Sequence, residues 1–251
     1  MFGIETRYLS FFFGLVSILS FFNIIYSYYL NLYLNLDTYY LSFFCSLVIS
    51  ILFYNLKFEQ KRLTIFNKIL TIFVGYIFIP LVLSIPFYFS IYNLTLLNSF
   101  FEAISGFTST GFTIFDNIKH IDQSLILWRS STQWIGGLYF LFSIIFLIDI
   151  YDENFKKTLT NFISFDSSEI FKQAIKIFLL YSVLTLIIFI ILNIFSIRTF
   201  DSLNLAFSLI SSGGFLPVND LSIILKENSQ VIIISLLMLT SFFSIFFSYN
   251  L

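Results

Sequence analysis

One cysteine, one histidine and three prolines are all that 251 residues contain of these types. Cys45 lies in an apolar run and has no second thiol in the chain with which to form an internal disulfide. His120 alone cannot build a cluster of imidazole ligands, so redox and zinc chemistry drop out. Charge is scarce too, at 11% of residues with a net charge of −1, and the balance points to no nucleic-acid partner. No nucleophile with a nearby base and no cluster of acids can be named, and an enzyme is not expected. What the chain does have is apolar surface. Hydrophobic residues make up 58% and the mean hydropathy is +0.93, which excludes a water-soluble globule and makes this an integral membrane protein. Phe (37) and Tyr (15) are inflated together, as a biased coding composition produces, so single aromatics carry little functional weight.

A bilayer core about 30 Å thick takes roughly 20 apolar residues in helical form. Six runs approach that length: about 8 to 30, 39 to 56, 69 to 92, 125 to 148, 173 to 197 and 230 to 249. The first is too long for a signal-peptide core and is expected to stay as a membrane helix. Pro80 and Pro86 should kink the third. Two shorter pieces, 96 to 107 and 200 to 211, have the length of re-entrant segments that dip in and return on the same side. With a cytoplasmic N-terminus, nine of the thirteen basic residues fall inside: Arg7, Lys57, Lys61, Arg62, Lys68, Lys156, Lys157, Lys172 and Lys176. Lys119, Arg198, Lys226 and Arg129 fall outside or near the outer surface, so both termini are expected in the cytoplasm and both re-entrant segments open outward.

Sliding the chain by 103 positions superimposes the two short segments. Ser99 meets Ser202, Ala103 meets Ala206, Ser105 meets Ser208, Ser109 meets Ser212, Gly111 meets Gly214 and Phe112 meets Phe215. The flanking apolar runs superimpose as well, so the chain reads as two units of helix, short helix, Ser/Thr/Gly loop, helix, after an extra hairpin. The expected divisions are 1–68 (hairpin and basic loop), 69–148 (first unit), 149–171 (cytoplasmic loop) and 172–251 (second unit). The fold class is an all-α membrane protein of six transmembrane helices and two re-entrant helices.

Non-helical backbone survives at membrane depth only where protein buries it or water reaches it. In the stretch FEAISGFTSTGFTIF, residues 101–115, glycines allow carbonyls to turn inward and hydroxyls add oxygen ligands for a dehydrated cation. A short helix running inward would present its carbonyl end, roughly half a negative charge, to that cation. The bland alternative is a pair of loops between interfacial helices; recurrence in register favours the ion path. Glu102 either lends negative potential or anchors backbone, and the anchor is preferred because its repeat partner is Leu205. Arg129 either faces the outer pore mouth or ties backbone in place, with the second preferred. Gly136 and Gly137 are expected to permit close helix packing.

At these residues the chain resembles the TrkH/KtrB/HKT superfamily of potassium and sodium transporters. FFEAISGFTSTGFT at 100–113 is similar to the first filter of TrkH proteins, and LWRSSTQWIGGL at 127–138 to the helix that follows it. AFSLISSGGFLPVND at 206–220 has the Gly-Gly-Phe core of the second filter. The resemblance implies a potassium-channel-like ring of four helix, pore-helix, helix units. Thr108, Ser109, Thr110, Gly111 and Phe112 would form one filter segment, and Ser211, Ser212, Gly213, Gly214 and Phe215 the next, with Glu102 and Arg129 supporting. Glycine at both 111 and 214 favours potassium over sodium as the transported ion, and no cofactor is implied. It also implies a bacterial inner-membrane location, contact with lipid, a homodimer, and regulation by a separate TrkA/KtrA-type cytoplasmic nucleotide-binding subunit. The sequence stops at Leu251, where the second unit ends. The expectation is therefore half of a longer transporter, or a chain whose copies pair to close the ring; the alternative is a non-conducting scaffold or remnant.

Overall fold

The computed structural model describes residues 5–56, 65–148 and 167–250. The basic positions Lys57, Lys61, Arg62, Lys156 and Lys157 lie outside the described residues, as does most of the expected loop 149–171. Among the described residues the regular structure is helical: α1 Thr6–Tyr29, α2 Leu36–Asn55, α3 Ile65–Leu83, α4 Ile85–Tyr88, α5 Leu96–Phe107, α6 Gln123–Ile148, α7 Ser167–Ile194, α8 Thr199–Ile210 and α9 Asn228–Asn250. Among the described residues four stretches are long and apolar enough to cross a membrane: Thr6–Tyr29, Leu36–Asn55, Phe66–Tyr88 and Ile175–Ile194. Together with the relatives described below, they make this a multi-pass membrane protein. Six helices were expected to span. α6 and α9 are not among the four; in α6 the side chains are described only in part. In α9, side chains are described only as far as Leu239.

The α1–α2 hairpin is polar inside and greasy outside. Ser10 and Ser50 each donate a hydroxyl to the other's carbonyl at 2.8 Å, and Ser20 Oγ reaches Ser42 Oγ at 3.1 Å. Phe21, Phe22, Phe44, Val48 and Ile51 point outward instead. In lipid an exposed apolar side chain costs nothing, while small hydroxyl residues let two helices approach and bond across the seam.

The third run departs from its expected limits. Helix ends at Tyr88 rather than 92, and it is broken at Ser84 between Pro80 and Pro86. Proline at 86 cannot donate to the preceding turn. At the break the Leu83 carbonyl accepts the Trp128 indole N–H at 3.1 Å, which fastens α3 to α6. Beyond Tyr88 the chain is held by Asn35: its Oδ1 accepts from Ile91 N at 3.0 Å and its Nδ2 donates to Asp122 Oδ2 at 2.7 Å. Asn35 is buried and joins three segments. Asn35→Ala is expected to cost about 1–3 kcal/mol, because it removes both bonds of a buried side chain, to Ile91 N and to the Asp122 carboxylate; a thermal melt in detergent would check it.

α6 is the centre of the assembly, in contact with α1, α3, α5, α7 and α8. Phe12, Phe107, Tyr139 and Phe142 pack in its core with Tyr8 and Tyr76. The 103-residue repeat is geometric as well as sequential. α5 and α8 occupy equivalent positions to the residue (96–107 and 199–210), and so do two 3-10 turns, Ile118–His120 and Leu221–Ile223. Asn117 and Asp220 cap those turns in the same way, accepting from Lys119 N and Ser222 N.

Candidate functional site

α5 and α8 end in the same way. Ser109 and Ser212 adopt left-handed φ values of 55° and 54°, which costs a residue with a side chain some strain. In return the orphan carbonyls of each last turn are capped. Thr110 N donates to Ser105 O at 3.0 Å and Gly213 N to Ser208 O at 2.7 Å. Ser109 N donates to Gly106 O and Ser212 N to Leu209 O. These amides therefore turn back toward their helices.

Beyond the caps the two loops touch. Gly111 has φ +79°, and a Cβ there would lie 2.6 Å from Gly214 Cα and 2.9 Å from Gly214 N. Glycine is required at 111 both for the dihedral and for the contact. At the ends of the two short helices is a cavity of about 510 Å³, lined by Thr108, Ser109, Ser211 and Ser212 together with Tyr76 and Tyr181. The C-terminal ends of both short helices open into it, each carrying roughly half a negative charge.

Glu102 and Arg129 stand outside this lining, buried at 0% and 1% side-chain exposure. Arg129 Nε donates to Glu102 Oε1 at 2.8 Å, its Nη2 to Thr113 Oγ1 at 3.0 Å, and its Nη1 reaches Leu216 O at 3.4 Å. The guanidinium lies 4.3 Å from the Phe215 ring centroid. Glu102 also accepts from Ile114 N at 3.0 Å and from the Thr113 hydroxyl. One ion pair thus grips the chain just past both loops. Asn219 adds a second tie, accepting from Ile118 N at 2.6 Å and donating to Asn117 Oδ1 at 2.9 Å.

The repeat mates are not all alike. Phe215 is 1% exposed under Arg129, whereas Phe112 is 70% exposed. Ser105 Oγ donates to Phe112 O at 2.6 Å, while Ser208 Oγ accepts from Gln133 Nε2 at 3.1 Å. With its amide oriented as its neighbours dictate, Gln133 also accepts from Gly214 N and Phe215 N, both at 2.9 Å. Gly213 is bare where the Gln133 amide passes, and a Cβ there would lie 2.6 Å from Nε2. Gly136 and Gly137 follow on the same face of α6, against Phe107 and Ser211, the ends of α5 and α8. Gln133, Tyr76 and Tyr181 were absent from the expected site. Gln133 had one sequence signal, its place four residues after Arg129 on one helical face.

No family model matches the chain. It is 26% identical over 165 residues to the uncharacterized cation transporter MJ1485 of Methanocaldococcus jannaschii, covering 62% of this chain and 33% of that protein. Over 60 residues it is 42% identical to the Trk system potassium uptake protein TrkI of Halomonas elongata, covering 24% of this chain and 11% of that one. Against TrkH of Salmonella typhimurium the identity is 27% over 139 residues, or 53% and 29% of the two chains. The crystal structure of the potassium transporter TrkH from Vibrio parahaemolyticus superimposes with a TM-score of 0.76 at 18% identity, over 94% of this chain and 48% of that one. The chain is similar to Trk potassium uptake proteins in sequence and to a solved TrkH in fold. It spans about a third of the first curated relative and about half of the solved TrkH chain. These Trk relatives are named as transporters, in keeping with the expectation that the chain is not an enzyme.

Proposed function

We propose that this chain forms part of the wall of a monovalent-cation pathway in a Trk-type potassium uptake system, with residues 108–112 and 211–215 as two of its filter segments. The carrying observation is the meeting of Gly111 and Gly214 just beyond two short helices whose ends line one cavity. Capping turns the loop amides back toward the helices, and the carbonyls and hydroxyls left over are oxygen ligands for a dehydrated cation. Potassium is the favoured ion and sodium the alternative.

In this reading α1, α2, α3 with α4, α6, α7 and α9 are six spans, and α5 and α8 are re-entrant. The divisions are those of the sequence: 1–68, 69–148, 149–171 and 172–251. Both termini face the cytoplasm of a bacterial inner membrane. Glu5 N donates to Thr71 Oγ1 at 2.9 Å and Lys68 sits over the Phe146 ring, which groups Lys68 with the N-terminal end of α1, as that topology requires. Two segments cannot encircle an ion. The ring is completed by a further pair of units or by a second copy, and a TrkA-type subunit would regulate it from the cytoplasm.

The test is potassium and sodium flux into liposomes carrying the complete assembly. Gly111→Ser and Gly214→Ser are each expected to lower the potassium-to-sodium preference at least several-fold. Unchanged preference in both variants removes the filter assignment, and no flux despite correct insertion favours the non-conducting scaffold.

A further inference from the structure

Both polar atoms of the Gln133 side chain are spent on the second loop and the last turn of α8. Its oxygen takes the N–H groups of Gly214 and Phe215, and its nitrogen bonds Ser208 Oγ, the last-turn serine of α8. Gln133 is fully buried, so water does not compete for these bonds. A peptide whose N–H is fixed to one side has its carbonyl fixed to the other. Holding Gly214 N and Phe215 N from the α6 side therefore directs the carbonyls of Gly213 and Gly214 away from α6. The absence of a side chain at Gly213 admits the amide, since any Cβ would collide with it.

Among the described residues the first loop has no such holder. The residue 103 positions after Gln133 is Leu236, an apolar side chain 55% exposed on α9. Ser105, the mate of Ser208, donates to the Phe112 carbonyl instead. We infer that Gln133 is the positioning residue of the second filter segment alone, setting the direction of its carbonyls from outside the ion path. This rests on the filter reading above.

Two measurements separate the inference from that reading. In the first, amide hydrogen exchange is followed on the chain in nanodiscs. Gln133→Leu should raise exchange at Gly214 and Phe215 by about fivefold or more, the scale of a lost buried bond. Residues 108–112 should be unchanged, and Gln133→Glu, which keeps an acceptor oxygen at the same reach, should restore protection. Unchanged exchange at 214 and 215, or an equal rise in both loops, overturns the inference whatever the chain transports. In the second, the liposome assay reads selectivity. If the unsubstituted assembly prefers potassium, Gln133→Leu should lower that preference by about fivefold or more and Gln133→Glu should recover most of it. Full preference retained in Gln133→Leu overturns the inference and leaves the filter standing. An unsubstituted assembly without potassium preference sinks the filter reading, and the exchange measurement then decides whether Gln133 orders the loop.

Discussion

Arg129→Ala is expected to destabilise the protein by about 3–5 kcal/mol, the cost of breaking a buried ion pair by removing one partner. The guanidinium is 1% exposed and its carboxylate partner Glu102 is 0% exposed. Without Arg129, Glu102 keeps the Thr113 hydroxyl and Ile114 N but loses its counter-charge, while the Leu216 carbonyl and the face of Phe215 lose their cover. A chain of this size should melt about 6–20 °C lower. Arg129→Lys should recover only part of the loss. A point-charge ammonium cannot reproduce the fork that reaches Glu102, Thr113 and Leu216 together. The double variant Arg129→Met/Glu102→Leu should melt above either Arg129→Ala or Glu102→Leu, because it leaves no unpaired buried charge. A double variant that melts as low as the worse single would show that the cost lies in packing rather than in charge.

This clamp also shows how far the sequence could be read. The anchoring reading of Glu102 rested on the lack of a carboxylate at its repeat mate, Leu205, and the geometry has the same asymmetry: the mate of Arg129 is Ile232, 61% exposed on α9. Helix placement was legible because apolar runs and their offset are local properties of the chain. The segments read as 96–107 and 200–211 are helices at 96–107 and 199–210. Where a tertiary bond decides the outcome, the reading stopped short. The third run ends early, and Ile91 beyond it is held by Asn35 from the turn before α2. Phe112 and Phe215, identical and in register, differ in burial because Arg129 lies over one ring and not the other. Gln133 was read only as part of a motif, since the reach of an amide from α6 to Gly214 depends on how α6 passes the end of α8. Side-chain type and spacing do not carry that distance.

How closely α6 passes is itself open to test. A Cβ on Gly136 would stand 2.5 Å from Phe107 C and 2.7 Å from its Cα, so Gly136→Ala forces helix α5 away from α6. Overpacking of this kind costs about 1–3 kcal/mol. The sign is informative, because alanine in a helix interior is otherwise favoured over glycine by about 1 kcal/mol. Gly14→Ala in α1 is the control: its Cβ would meet Ser50 Oγ at an ordinary 3.4 Å, and the melting temperature should hold or rise. Gly137→Ala should fall between, since it meets the Tyr181 hydroxyl at 2.6 Å and Ser211 Cα at 2.9 Å, one able to yield and the other not. The Phe107 end of α5 is also the rim of the cavity, so Gly136→Ala should reduce flux together with stability. If Gly136→Ala melts like Gly14→Ala and conducts normally, the two helices are not in backbone contact there.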